Sequence, residues 1–217
     1  MEFDVEFAWS ILPALLAGLW VTLNVVLAGF CCAVLVGGVM AVARGSALRG
    51  LRVISTAYTT FFRLTPLLVQ LYFLFFALPL SGLSLPAMAT GVLGLGLYYG
   101  AYIAEAFRGA INDVPAGQWE AAQALDFAPA VLWRRIILPQ ALKPMLPILG
   151  NYLIGMFKET PLLAVITIPE LFQAAKQIAG MTYRYDEPYT LMAVLFLAIS
   201  LPTSLLFRYW EKKRAHA

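Results

Sequence analysis

The sequence predicts an all-α, polytopic membrane protein with five transmembrane helices and a single cytoplasmic loop of substantial length. Three observations carry that prediction. Hydrophobic residues make up 61% of the 217-residue chain and charged residues only 12%, with a mean hydropathy of +0.79, whereas a soluble domain devotes roughly a quarter of its residues to charge. Five apolar stretches, about 11–43, 54–80, 86–107, 144–168 and 188–207, are each long enough to cross a hydrocarbon core of about 30 Å as a helix. Lys and Arg gather in alternate connections between those stretches, as the positive-inside rule requires of a multi-span chain. Helices are expected throughout, because runs this long and continuous do not suit barrel strands and lipid leaves few other ways to satisfy backbone polar groups. The whole of 1–217 reads as one transmembrane domain.

The first stretch follows an acidic N-terminus bearing Glu2, Asp4 and Glu6. A cleavable leader has a basic segment there, so this run is expected to be retained as a span. It is longer than one crossing needs, which predicts a tilt or an interfacial start anchored by Trp9 and Trp20. Cys31 and Cys32 are adjacent inside it and can neither staple distant segments nor form a metal site of known spacing. The second stretch carries Arg63, Thr65 and Gln70, with Pro66 as a predicted kink; Arg63 is expected to snorkel to the inner interface. In the third, Gly96 and Gly100 form a small-residue pair that permits close helix approach. Tyr98, Tyr99 and Tyr102 add hydroxyls and aromatic faces there, and Glu105 and Arg108 are spaced to meet on one helix face.

The fourth stretch contains Lys158 and Glu159, adjacent charges at a depth where ionisable groups face a cavity, a partner helix or the interface. Neighbours on a helix point about 100° apart, so the two need not pair. Pro161 frees a carbonyl near residue 157 and predicts a bend. Topology follows from three basic segments: Arg44, Arg49 and Arg52; Arg108, Arg134, Arg135 and Lys143; and Arg208, Lys212, Lys213 and Arg214. They fall on one side if the N-terminus is outside and the C-terminus cytoplasmic.

The connection 109–143 is the polar part of the chain. Asp113 and Pro115 read as a helix start, Gln118–Leu125 as a helix interrupted by Asp126 and Pro129, and Val131–Ile137 as a second helix ending at Pro139. Two short helices joined by a turn suit docking on a soluble partner. Within it stand Gly117, Glu120, Ala121, Ala122, Leu125 and Asp126, followed by Ile136, Leu138 and Pro139. This resembles the EAA loop of the permease subunits of ATP-binding-cassette importers: Glu-Ala-Ala, three residues, Gly, nine residues, Ile-x-Leu-Pro. Asp126 stands where that pattern has glycine. The segments Arg63–Gln70, Ala104–Gly109 and Phe157–Leu162 are similar to further signatures of the polar amino-acid uptake branch, the histidine, glutamine and arginine permeases. Pro161, with the segments at 183–188 and 124–127, is similar to ectoine and hydroxyectoine importer permeases.

The resemblance implies a permease in a bacterial inner membrane that forms the translocation path for a small polar or zwitterionic solute, an amino acid or a compatible solute such as ectoine. It implies a second permease subunit, a paralogue or a second copy, along with two ATP-binding subunits and an extracytoplasmic solute-binding protein. No cofactor is expected in this chain, ATP and Mg²⁺ belonging to the ATPase. In keeping with that, no Gly-Lys dipeptide and hence no Walker A loop occurs. The loop is the expected coupling element, and Lys158, Glu159, Thr160 and Gln70 are the candidate pathway residues. Two other classes fit the sequence less well. An intramembrane enzyme finds no catalytic constellation, the single histidine, His216, lying in the basic tail. An ion-coupled secondary transporter would show inverted repeats, and five spans do not divide into equal halves.

Overall fold

The structure is a computed structural model that describes residues 3–215, with side chains through Tyr209. Glu2, His216 and the side chains of Lys212, Lys213 and Arg214 lie outside the described residues. Among those described, all regular structure is helical. Three helices are long and apolar enough to cross a membrane, and two bent pairs bring the number to five.

The first helix, α1 (Val5–Gly45), has 41 residues, about 60 Å at 1.5 Å per residue, so the expected overlong first span is real. Asp4 caps it by accepting the Phe7 N–H at 3.1 Å, which satisfies one of the donors a helix start leaves free. The second stretch is two helices, α2 (Arg49–Leu64) and α3 (Leu67–Tyr72), related by 105°. α3 continues as a π turn at Phe73–Ala77 and a 3₁₀ turn at Leu78–Ser81. Pro66 lacks an N–H and holds Thr65 extended, so the kink read from the sequence is a full corner.

The third span, α4 (Ala87–Asn112), packs along α1 over much of its length. Small residues make this seam possible. A Cβ on Gly37 would lie 2.9 Å from the Gly100 carbonyl oxygen, and one on Gly96 would lie 2.5 Å from Cys32 Sγ. The Gly96–Gly100 pair therefore serves packing within the subunit. Near the C-terminal ends of the two helices Glu105 accepts from Arg108 at 2.9 Å and stands 3.8 Å from Arg44, and Arg44 also donates to Thr56 of α2. The i,i+3 pairing expected of Glu105 and Arg108 is present.

Next come α5 (Ala116–Ala124), one turn of α6 (Pro129–Val131) that passes through a π segment at Leu132–Ile137, and α7 (Leu138–Glu159). Two local expectations need correction. Asp113 is the C-cap of α4 rather than a helix start; Pro115 is the N-cap of α5. The helix does not stop at Pro139: the wider π segment lies just before it, and Pro139 sits in the first turn of α7, where a missing N–H costs least.

α7 does end where Pro161 follows. The chain tightens into a 3₁₀ segment at Thr160–Ile166, turns through the left-handed Thr167 at φ 64°, and resumes as α8 (Leu171–Thr182), bent by 50°. Buried Glu170 accepts the N–H groups of Phe172 and Gln173. Thr22 of α1 accepts that of Leu171, so α8 is tied to the middle of α1. α9 (Asp186–Ala215) closes the bundle. At its start Arg184 donates to Asp4 at 3.1 Å and Glu187 at 2.7 Å, with its guanidinium 4.2 Å from the Phe7 ring centroid. The Phe7 N–H, and then the Arg184 side chain, hold the Asp4 carboxyl below its ordinary 3.8.

Candidate functional site

Two regions carry polar chemistry that the apolar bundle does not need for its own packing. The first lies where α2, α4 and α7 meet. Tyr99 of α4 donates its hydroxyl to Glu159 at 3.1 Å. Tyr98 and Tyr102, one helical turn apart, share a hydroxyl hydrogen bond at 3.3 Å. Tyr152 of α7 packs 6.1 Å from each of the Tyr99 and Tyr102 rings. Arg63, at the last turn of α2, lies 5.4 Å from the Tyr102 ring centroid.

Heptad-like spacing explains how α4 presents its rings. Tyr98 and Tyr102 are i,i+4 and share one face, while Tyr99 turns inward beside them. On α7, Tyr152 and Glu159 are seven residues apart, two turns, and so share a face as well. Tyr99 is buried, whereas Tyr98, Tyr102, Tyr152 and Glu159 are half-buried and Arg63 is exposed. The result is a polar, ring-lined patch on a surface that otherwise faces lipid or a neighbouring subunit. A carboxylate at such a depth requires a partner or water, and here its partner is one tyrosine hydroxyl.

The candidate pathway residues named from the sequence do not all converge there. Glu159 is in the patch. Lys158, its neighbour, is exposed with no bonded partner among the described residues. Thr160 is buried and donates back to the Phe157 carbonyl. Gln70 is buried and donates to the Phe62 and Thr65 carbonyls and the Thr65 hydroxyl, bracing the corner at Pro66. Arg63, expected to snorkel, is exposed and lies beside Tyr102. Tyr152 was not singled out in the sequence. Its signal was the seven-residue spacing to Glu159.

The second region is the loop. α5 is held to the body by its own core of Ala110, Val114, Ile137, Ala141 and Met145, against which Trp119 packs. Trp119 also meets Trp133 edge-on at 5.6 Å, and Gln140 donates to Gln118 at 3.2 Å. Ala122 is 2% exposed, so of the Glu-Ala-Ala residues it is the inward one. Glu120 and Ala121 are exposed, as are Gly117, Ala124 and Leu125. Asp126 adopts φ 50°, the left-handed conformation for which glycine is the usual choice and Asp one of the tolerated substitutes. Through it Phe127 N–H reaches the Ala122 carbonyl at 3.0 Å and the helix closes.

Comparison with known proteins gives the family. A family profile described as the inner membrane component of binding-protein-dependent transport systems matches residues 33–216. The chain is 43% identical over 205 residues to a protein of Sinorhizobium fredii described as a probable amino-acid ABC transporter permease, covering 94% of this chain and 89% of that one. It is 36% identical to one so described in Bacillus subtilis, covering 99% and 95%. Among solved structures, an amino acid ABC transporter determined with histidines matches with a TM-score of 0.91 at 35% identity, over 98% of this chain and 100% of that one. An inward-facing methionine ABC transporter shares the fold at 20% identity and a TM-score of 0.66, over 95% and 99%. With five helical spans, a loop of the expected pattern and these relatives, the chain belongs to the inner-membrane permease family of binding-protein-dependent, ATP-binding-cassette importers.

Proposed function

We propose that this chain lines the membrane path for a zwitterionic solute of amino-acid size, an amino acid or a compatible solute such as ectoine, and that separate ATPase subunits drive it through α5. The observation that carries this reading is Glu159, a half-exposed carboxylate inside an apolar bundle, held by Tyr99 alone and surrounded by tyrosines. The resemblance to the family supports the rest of the assembly: a second permease, two ATP-binding subunits that hold ATP and Mg²⁺, and an extracytoplasmic binding protein. The basic segments support an N-terminus outside and a C-terminus in the cytoplasm of a bacterial inner membrane.

The geometry supplies a coupling route. The core that holds α5 is built from the inner end of α4 (Ala110, with Val114 just beyond it) and the start of α7 (Ala141, Met145). The same two helices carry Tyr98, Tyr99 and Tyr102, and Tyr152 and Glu159. A displacement imposed on α5 reaches the patch through two continuous helices rather than through loops. Glu120, Ala121 and Ala124, with Leu125 at the C-cap, present the exposed side of α5, two small residues beside one carboxylate and one apolar anchor, which suits a helix seated in a groove.

Uptake by vesicles containing the reconstituted complex tests this reading. Labelled solute should accumulate only with ATP on the cytoplasmic side and the binding protein on the other, and collapsing ion gradients should leave the rate unchanged. Accumulation driven by an ion gradient without nucleotide would establish a secondary transporter instead.

A further inference from the structure

We propose that Arg63 binds the carboxylate of the solute and that the tyrosines receive a flat, charge-delocalised cation at its other end, so the site selects zwitterions of the amidinium type over those with a localised ammonium. This rests on the import reading above and assigns the chemistry of the same site.

Arg63 is the starting point. It is exposed, donates no hydrogen bond and pairs with no carboxylate among the described residues, and it lies 5.4 Å from the Tyr102 ring centroid. The nearby Glu105 is already shared by Arg44 and Arg108. An exposed arginine whose five donors meet no acceptor among the described residues, beside an aromatic ring, offers its fork to a carboxylate. Lys158 is the other cation in reach by sequence, but it contacts neither Glu159 nor any ring.

Arg63 and Glu159 stand at opposite ends of the ring patch. Arg63 lies over Tyr102; Tyr102 contacts Tyr99 with centroids 6.4 Å apart; Tyr99 donates to Glu159. A positive end and a negative end that do not pair with each other, separated by aromatic rings, complement a dipolar ligand. The cation's surroundings decide its type. A localised ammonium holds its charge and N–H donors on one strongly hydrated nitrogen, and the hydroxyl oxygens that could receive them here, on Tyr98, Tyr99 and Tyr102, are phenolic and weak acceptors. What the patch offers in quantity is ring faces, half-exposed on Tyr98, Tyr102 and Tyr152. A planar delocalised cation stacks on such faces and needs few acceptors, which the free carboxylate oxygen of Glu159 supplies.

The test uses the transporter in nanodiscs with all subunits except the binding protein, so that selectivity belongs to the membrane site. Binding of tritiated ectoine, a six-membered cyclic amidinium carboxylate, is compared with that of tritiated pipecolate, a ring of the same size and carboxylate position with a localised ammonium. Ectoine should bind about 3- to 30-fold more tightly, and Tyr152→Leu should bring the two together. Arg63→Gln should weaken both about 10- to 100-fold, with Arg63→Lys in between. Equal affinities in the native complex would overturn the cation class, and unchanged binding in Arg63→Gln would overturn the role of Arg63. Separation of the permease subunits in both Arg63 variants, with ectoine affinity retained, would make this face a subunit interface and overturn the site. If neither solute binds up to about 10 mM, an affinity worth under roughly 3 kcal/mol, while ATP-driven uptake persists, the site is overturned and the importer reading stands. Absence of ATP-driven uptake would overturn the importer reading itself.

Discussion

Glycines at the α1–α4 seam show how single residues set the spacing of this bundle. Gly37 and Gly38 are adjacent, yet a Cβ on Gly37 would meet the Gly100 carbonyl oxygen at 2.9 Å and Ile103 Cγ2 at 2.7 Å, while one on Gly38 meets nothing within 4 Å. Backbone cannot yield as a flexible side chain can, so Gly37→Ala must push the helices apart. Overpacking of this kind costs about 1–3 kcal/mol. Gly38→Ala should be neutral or slightly stabilising, since alanine is the better helix former. Thermal unfolding of the two variants in detergent checks this, with a lowered midpoint expected for Gly37→Ala alone. The distinction was not legible in the sequence, where the two glycines are alike and only Gly96 and Gly100 drew notice by their spacing. Glu159 was legible because a charge in an apolar run stands out, whereas its link to Tyr99, 60 residues away, depends on how α4 and α7 pack.

At the scale of elements, the apolar runs foretold the spans and Pro66 foretold the corner in the second, where the missing N–H falls at a helix boundary. The 50° bend in the fourth lies at 167–170, beyond Pro161, which opens only the 3₁₀ segment, and Pro13, Pro144, Pro147 and Pro202 sit inside helices that continue. The π segment at 132–137 was not foreseen, since it arises from how α6 joins α7 and no residue type announces it. The loop motif named the residues of α5 but not their direction: Ala122 turns inward and Ala121 outward, a phase that one short helix pattern leaves open. This yields a paired prediction. Ala121→Trp should leave the subunit folded and reduce solute-stimulated ATP hydrolysis and uptake together, about 10-fold or more, by obstructing the groove contact. Ala122→Trp should instead overpack the buried side of α5 and lower the yield of assembled complex. Assembly measured by size exclusion beside ATPase activity separates the two; normal coupling in Ala121→Trp would remove α5 from the contact.

The whole molecule combines two polar regions joined by the helices that carry both. α4 and α7 meet the core beneath α5 and carry the rings and Glu159 along their length, and on the function proposed here the patch on them is the path and faces water during transport. The most direct measurement places a cysteine at Tyr102 in a chain whose Cys31 and Cys32 are replaced by alanine, and follows its reaction with a charged, membrane-impermeant thiol reagent. The reagent should react in vesicles, more slowly when transported solute is present, and at a rate that changes with ATP hydrolysis. A cysteine at this position that stays unreactive from both sides and in every nucleotide state would contradict the account, because the patch would then be sealed against protein or lipid.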